Sequence, residues 1–278
     1  MLYSSRRRLL LLIGSMAPQL ILSSALRADS FAYIVTGTQD FGTVDLNTGA
    51  FTRTGSLSQY SYGLGEINNT LYSVGNQNSD TLYTVNTSNG ALTAVGNTGV
   101  AIFEMGSTTN GLFGLGQNNT DLYSINPVTG VATLIGATGV TNRTTSGLSV
   151  GAGGLYYYVS GPTSSTLYLL NTSTGAATLI GSSFPGVCLK NSAYENNTLY
   201  SLSGYCFAGS ETYSVNVTTG ATQFVANGIG YNDLTGLAPV LETATPEPTS
   251  AILLTTGLSL AAVILRAKRP LKATGRQA

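Results

Sequence analysis

The chain has 278 residues, 9% of them charged, with 34 Gly, 16 Tyr, no Trp, no His and a formal net charge of zero. That zero hides an asymmetry: between Asp29 and Thr245 eleven acids face three bases (Arg53, Arg143, Lys190), a balance of −8, while the other nine bases sit in the two ends. Such a body lacks the basic patch a nucleic-acid binder needs. Without His it can build neither a Ser-His-Asp triad nor a Cys-His pair nor a zinc site with His ligands, and two Cys alone cannot cage a zinc ion. No metal and no cofactor are expected.

Residues 1–28 have the layout of a secretory signal peptide. Arg6, Arg7 and Arg8 form a positive n-region, an apolar run starts at Leu9, and small residues precede cleavage after Ala25 or after Ala28. The run Ser5 to Leu10 also looks loosely like a twin-arginine signal. An uncleaved anchor helix fits less well, because Pro18 interrupts it and the strongest apolar run is short.

From residue 29 to 240 the chain repeats. Five turns, DLNTG (45–49), NTSNG (86–90), NPVTG (126–130), NTSTG (171–175) and NVTTG (216–220), each open with Asp or Asn and close on Gly, with the glycines 41, 40, 45 and 45 residues apart. An Asx side chain bonds to the backbone two residues on, and glycine takes the left-handed conformation that closes a bulged hairpin. Before four of the turns lie LYTV (82–85), LYSI (122–125), LYLL (167–170) and TYSV (212–215); after them lie ALTAVG (91–96), VATLIG (131–136), AATLIG (176–181) and ATQFVA (221–226). Further upstream stand LYSVG (71–75), LFGLG (112–116), LYYYV (155–159) and LYSLS (199–203), each preceded by one more short segment.

Four short strands every 40–45 residues predict the blades of a β-propeller. The N-terminal piece 31–55 carries the last three strands of a blade and the piece 232–240 carries only a first strand. Together they predict a fifth, composite blade that closes the ring and hides the edges an open array would expose. The repeat resembles that of quinoprotein-type and related propellers, in which an Asp-x-x-Thr-Gly hairpin between the outer strands is common; the resemblance bears on fold rather than activity.

Recurring residues are accounted for by the repeat. The tyrosines at 72, 83, 123, 156, 168, 200 and 213 hold fixed blade positions and read as packing between blades. GLFGLG (111–116) mimics a dinucleotide fingerprint but does not join a strand to a helix. One carboxylate per turn is too few for calcium. Non-repeating residues in the loops leading into each first strand are therefore the ligand-binding candidates: Tyr60, Tyr62, Asn142, Arg143, Phe184, Tyr231 and Asp233. Aromatic and amide groups at a rim suit a sugar or peptide. Glu66, Glu104, Glu195 and Asp233, in or near the inner strands, carry the rival reading of a secreted carbohydrate-active enzyme that uses a carboxylate pair. Cys188 and Cys206 fall on consecutive strands and are expected to form a cross-strand disulfide, free thiols being the alternative.

The chain ends in a linker and Pro-Glu-Pro triplet (241–248), an apolar run with its basic cluster (249–270) and a short tail (271–278). Ala251 to Leu265 falls just short of the roughly 17–25 residues that span a bilayer. The basic residues after it would stay cytoplasmic. Pro246-Glu247-Pro248, the apolar run containing Gly257-Leu258, and the cluster Arg266, Lys268, Arg269 together resemble the PEP-CTERM sorting signal. That resemblance implies a bacterial host with an outer membrane and recognition by an exosortase-type membrane protease. It further implies transient anchoring through a transmembrane helix, removal of the tail, and delivery to the cell surface or the surrounding polysaccharide; a plain C-terminal anchor is the alternative. The expected partners are the protease and then an extracellular polysaccharide or surface protein, with no nucleic acid.

Mass spectrometry of the protein recovered from the cell surface is expected to show a chain that starts at Leu26 or Asp29 and lacks the apolar tail. A surface-exposed species retaining either end intact would refute the sorting assignment.

Overall fold

The structure, a computed structural model, describes residues 30–75, 80–108, 111–141, 145–151, 154–160, 165–182, 189–203, 210–228, 230–231 and 233–240. Among them are twenty strands and no helix. They form five antiparallel four-stranded sheets, the blades of a propeller.

Blade 1 is β4 (Gly63–Ile67), β5 (Thr70–Val74), β6 (Thr81–Val85) and β7 (Leu92–Asn97); blade 2 is β8 (Ile102–Thr108), β9 (Gly111–Gly116), β10 (Asp121–Ile125) and β11 (Ala132–Ala137). Blade 3 is β12 (Thr145–Gly151), β13 (Gly154–Ser160), β14 (Ser165–Leu170) and β15 (Ala177–Ser182); blade 4 is β16 (Leu189–Glu195), β17 (Thr198–Ser203), β18 (Thr212–Val215) and β19 (Thr222–Ala226). The closing blade joins β20 (Leu234–Pro239) to β1 (Phe31–Thr36), β2 (Asp40–Asp45) and β3 (Phe51–Ser56) in the order β20-β1-β2-β3. The composite blade read from the repeat is thus present, through the antiparallel register Ala32↔Pro239 to Val35↔Gly236. The innermost strands β4, β8, β12, β16 and β20 touch their neighbours in a closed ring.

Local chemistry builds the outer hairpins. In all five, the Asp45, Asn86, Asn126, Asn171 or Asn216 side chain accepts the amide two residues on, at 2.8–2.9 Å. The glycine four residues on donates back to the Asx carbonyl at 2.8 Å. Those glycines, at φ +73, +76, +81, +82 and +74, occupy the left-handed region that disfavours any Cβ.

The structure adds a second constraint on the same glycines. A Cβ on Gly130, Gly175 or Gly220 would press on Gly96, Gly136 or Gly181 of the preceding blade's outer strand, and a Cβ on any of those three would strike the hairpin carbonyl of Thr129, Thr174 or Thr219. Two sheets therefore meet backbone to backbone at their outer ends. Nearby, Ala132 and Ala177 donate their amides across the same seams to the Thr98 and Thr138 carbonyls, each at 3.0 Å.

Between the sheets lie five hydrophobic clusters, one per seam. The repeated tyrosines pack there as expected: Tyr72 and Tyr123 between blades 1 and 2, Tyr156 between blades 3 and 4, Tyr200 between blade 4 and the closing blade. In blade 3 Tyr157 and Tyr158 are fully buried.

Gly136 is not in the left-handed region, so Gly136→Ala isolates the close approach. Urea unfolding is expected to show a loss of about 1–3 kcal/mol, the usual cost of overpacking. Unchanged stability would mean that the blades do not meet there.

Candidate ligand-binding site

The ring has two mouths. One is ringed by the two-residue hairpins between first and second strands; the other by the loops that enter each first strand. The second holds three of the non-repeating residues singled out from sequence. Tyr60 and Tyr62 stand just before β4, and Asp233 just before β20.

The structure brings these three together. The Tyr60 hydroxyl donates to Asp233 Oδ2 at 3.1 Å, and Lys190 Nζ of β16 pairs with Asp233 Oδ1 at 2.5 Å. The Tyr60 and Tyr62 rings meet edge to face at 5.2 Å, and Tyr62 lies against Phe103 of β8 at 5.0 Å. One continuous array thus runs Phe103–Tyr62–Tyr60–Asp233–Lys190, contributed by blades 2, 1, closing and 4. Its members are half-buried, and the Lys190 and Asp233 side chains keep 14% and 36% exposure. Asp233 is held from the backbone too, since its carbonyl accepts the Gly37 amide at 2.8 Å. At Gly37 a Cβ would run into the Asp233 carboxylate.

Tyr231 belongs to a neighbouring group rather than to this array. Its hydroxyl donates to Asp40 Oδ2 at 3.2 Å and its ring meets Phe51 edge to face at 5.5 Å. Arg53 Nε binds the other oxygen of Asp40 at 2.5 Å and holds that carboxyl below its ordinary range. Asn142, Arg143, Phe184, Cys188 and Cys206 lie outside the described residues, as do both chain ends with Pro246, Glu247, Pro248, Arg266, Lys268 and Arg269.

Sequence reasoning missed Phe103 and Lys190, and the reason is geometric. Both sit at bulges: the β8–β9 register slips between Ile102 and Glu104, and the β16–β17 register between Lys190 and Ser192. A bulge breaks the alternation of a strand and re-aims a side chain. At the second bulge Asn191 adopts φ +40 and its amide donates to the Leu234 carbonyl at 2.9 Å, locking β16 to β20. The signal available for Lys190 was its rarity among eleven acids and three bases.

Of the four acids in the enzyme reading, Glu66 and Glu195 lie toward the hairpin mouth and Glu104 and Asp233 toward the loop mouth. Glu66 and Glu104 are buried, and Asp233 is occupied by Lys190 and Tyr60. Among the described residues no group of three or more His, Cys, Asp or Glu is placed to hold a metal ion. No helix among them is long and apolar enough to cross a membrane.

Neither a protein-family profile nor a curated protein matches the chain. Among solved structures, a chain of the nidogen/laminin complex superposes with a TM-score of 0.54 at 7% identity, covering 77% of this chain and 99% of that one. A structural-genomics protein of unknown function from Bacteroides thetaiotaomicron aligns at a TM-score of 0.46 and 15% identity, covering 71% of this chain and 50% of that one. At 7% identity the first likeness establishes the propeller architecture alone.

Burial, and then the Asp233 carboxylate, push the Tyr60 hydroxyl above the ordinary tyrosine value of 10.0. Because the fold favours the neutral phenol, the stability this contact contributes is present below pH 10 and is lost as pH rises through the folded value. Asp233→Asn should lower the pH at which Tyr60 ionises, leaving it above the ordinary value through burial, as read by ultraviolet titration against Tyr60→Phe. An unmoved titration would mean that the two groups do not touch.

Proposed function

We propose that the protein is an exported, non-catalytic binding module of the cell surface or extracellular matrix, sorted through its PEP-CTERM-like tail. On this reading its ligand, an extracellular glycan, docks at the loop mouth. The observation that carries this is the array Phe103–Tyr62–Tyr60 beside the Lys190–Asp233 pair. Aromatic faces offer apolar area at little entropic cost, with polar edges nearby to orient hydroxyls, which is what a sugar ring needs. A glycan suits a half-exposed rim of this kind better than a deep pocket would. The non-catalytic part of the reading rests on the placement of the acids. A glycosidase uses two carboxyl groups flanking one bond, whereas the acid in the array is engaged in an ion pair and a tyrosine contact, and the others are spread over both mouths.

The test is a polysaccharide array probed with the purified full-length protein. Tyr62→Ala is expected to weaken binding about two- to thirteenfold, the ~0.5–1.5 kcal/mol of an aromatic contact, and Glu104→Gln to leave it unchanged. Hydrolysis of any polysaccharide that is lost in Glu104→Gln would establish the enzyme reading instead. An array without a specific ligand would leave the protein a spacer.

A further inference from the structure

The opposite mouth carries a second feature, independent of the first. A cavity of about 300 Å³ opens there, lined by Glu66, Ser107, Val150 and Pro239 together with the Asn68–Asn69 turn. Register explains its composition. Glu66 pairs with Leu71, Ser107 with Leu112, Val150 with Leu155, Tyr194 with Leu199 and Pro239 with Ala32, so these five residues hold one equivalent position on the five inner strands. Four of the five line the cavity, which is therefore the end of the central channel. Where the outer hairpins repeat one Asx-to-Gly pattern five times, this inner position carries five different residues. Packing symmetry does not ask for that.

The chemistry of the lining is specific. Glu66 is only 7% exposed and brings the one acid among the described lining residues. The Ser107 hydroxyl accepts the Glu66 amide at 3.0 Å, which leaves its own proton to donate elsewhere. Val150 and Pro239 supply apolar walls. Asn68 and Asn69, at φ +51 and +59, form a tight left-handed turn that holds the rim. The nearby Tyr33 hydroxyl is pushed up by burial and by Glu66. Cations are absent from this mouth among the described residues: Arg53 and Lys190 reach toward the other end, where Asp40 and Asp233 hold them. Asp45 and Glu195 add two more acids on the Glu66 side.

We propose that this cavity is a binding site for an alkylammonium group, a protonated amine on a short apolar stem such as a lysine side chain presents. A buried carboxylate in the lining of a small, partly apolar cavity favours a compact cation whose stem covers Val150 and Pro239. A charge-assisted hydrogen bond from ammonium to carboxylate is about twice as strong as a neutral one. One carboxylate with neutral neighbours is a poor calcium site.

Nuclear magnetic resonance titration of the full-length protein with n-butylammonium, and with n-butanol as its uncharged counterpart, tests this. Saturable shifts at the Glu66, Asn68, Asn69 and Ser107 amides are expected, with n-butanol at least tenfold weaker and Glu66→Gln losing at least tenfold for the amine. Val150→Phe keeps the charge but fills the cavity, and should abolish binding even if Glu66→Gln proves unstable. A lysine-containing tripeptide distinguishes a side chain from a free amine; its entry supports a protein-borne ligand, and its exclusion with retained butylammonium binding confines the site to free amines. Equal binding of alcohol and amine, tighter binding of Ca²⁺ than of butylammonium, or no saturable binding would each overturn the proposal.

Discussion

The antiparallel pairing of β20 with β1 is the interaction on which the rest depends. Every other blade is made from consecutive strands and could form locally. Only this blade needs segments some 200 residues apart, Ala32 to Val35 against Gly236 to Pro239. Without it the ring has two raw edges, and the clusters flanking the closing blade lose one wall: Ala32, Ile34 and Leu237 on one side, Val35, Phe41 and Ala238 on the other. Closure also creates the loop mouth, because Asp233 enters the channel rim only when β20 docks.

A second constraint operates at the periphery. The hairpin glycines and the outer-strand glycines are matched across the seams, so each blade is indexed to the next by backbone contact rather than by side-chain fit. The closing seam departs from the rule. Ala226 stands where the other blades have Gly55, Gly96, Gly136 or Gly181, and Gly49 meets the Asn227 carbonyl instead. The one joint made between chain ends is therefore built differently from the four made between neighbours in sequence.

The fold was legible because its signals are local and fivefold repeated: an Asx, a glycine four residues on, and apolar strands at fixed distances. Each blade confirms the phase of the others, so even the missing first strand at the N-terminus could be placed. The site was legible only in part. Tyr60, Tyr62 and Asp233 are visible as loop residues that break the repeat, but their meeting depends on ring closure. Phe103 and Lys190 were hidden by bulges, which no period reveals. Tyr231 was assigned to the same rim and lies one group away, since its loop turns it toward Asp40 and Phe51. For Glu66 the sequence shows an acid near an inner strand; only the register shows that it shares a level with Ser107, Val150, Tyr194 and Pro239.

The composite blade has a further consequence for orientation. β1 begins, and β20 ends, at the same mouth: the Val240 amide donates to the Phe31 carbonyl at 3.1 Å, so the two exits of the chain lie side by side. Whatever grips the protein by either end grips it by that pole. The alkylammonium cavity opens at that pole, and the aromatic rim lies at the opposite one. The body thus has a built-in polarity, fixed by where one hydrogen-bonded pair of strands places the ends.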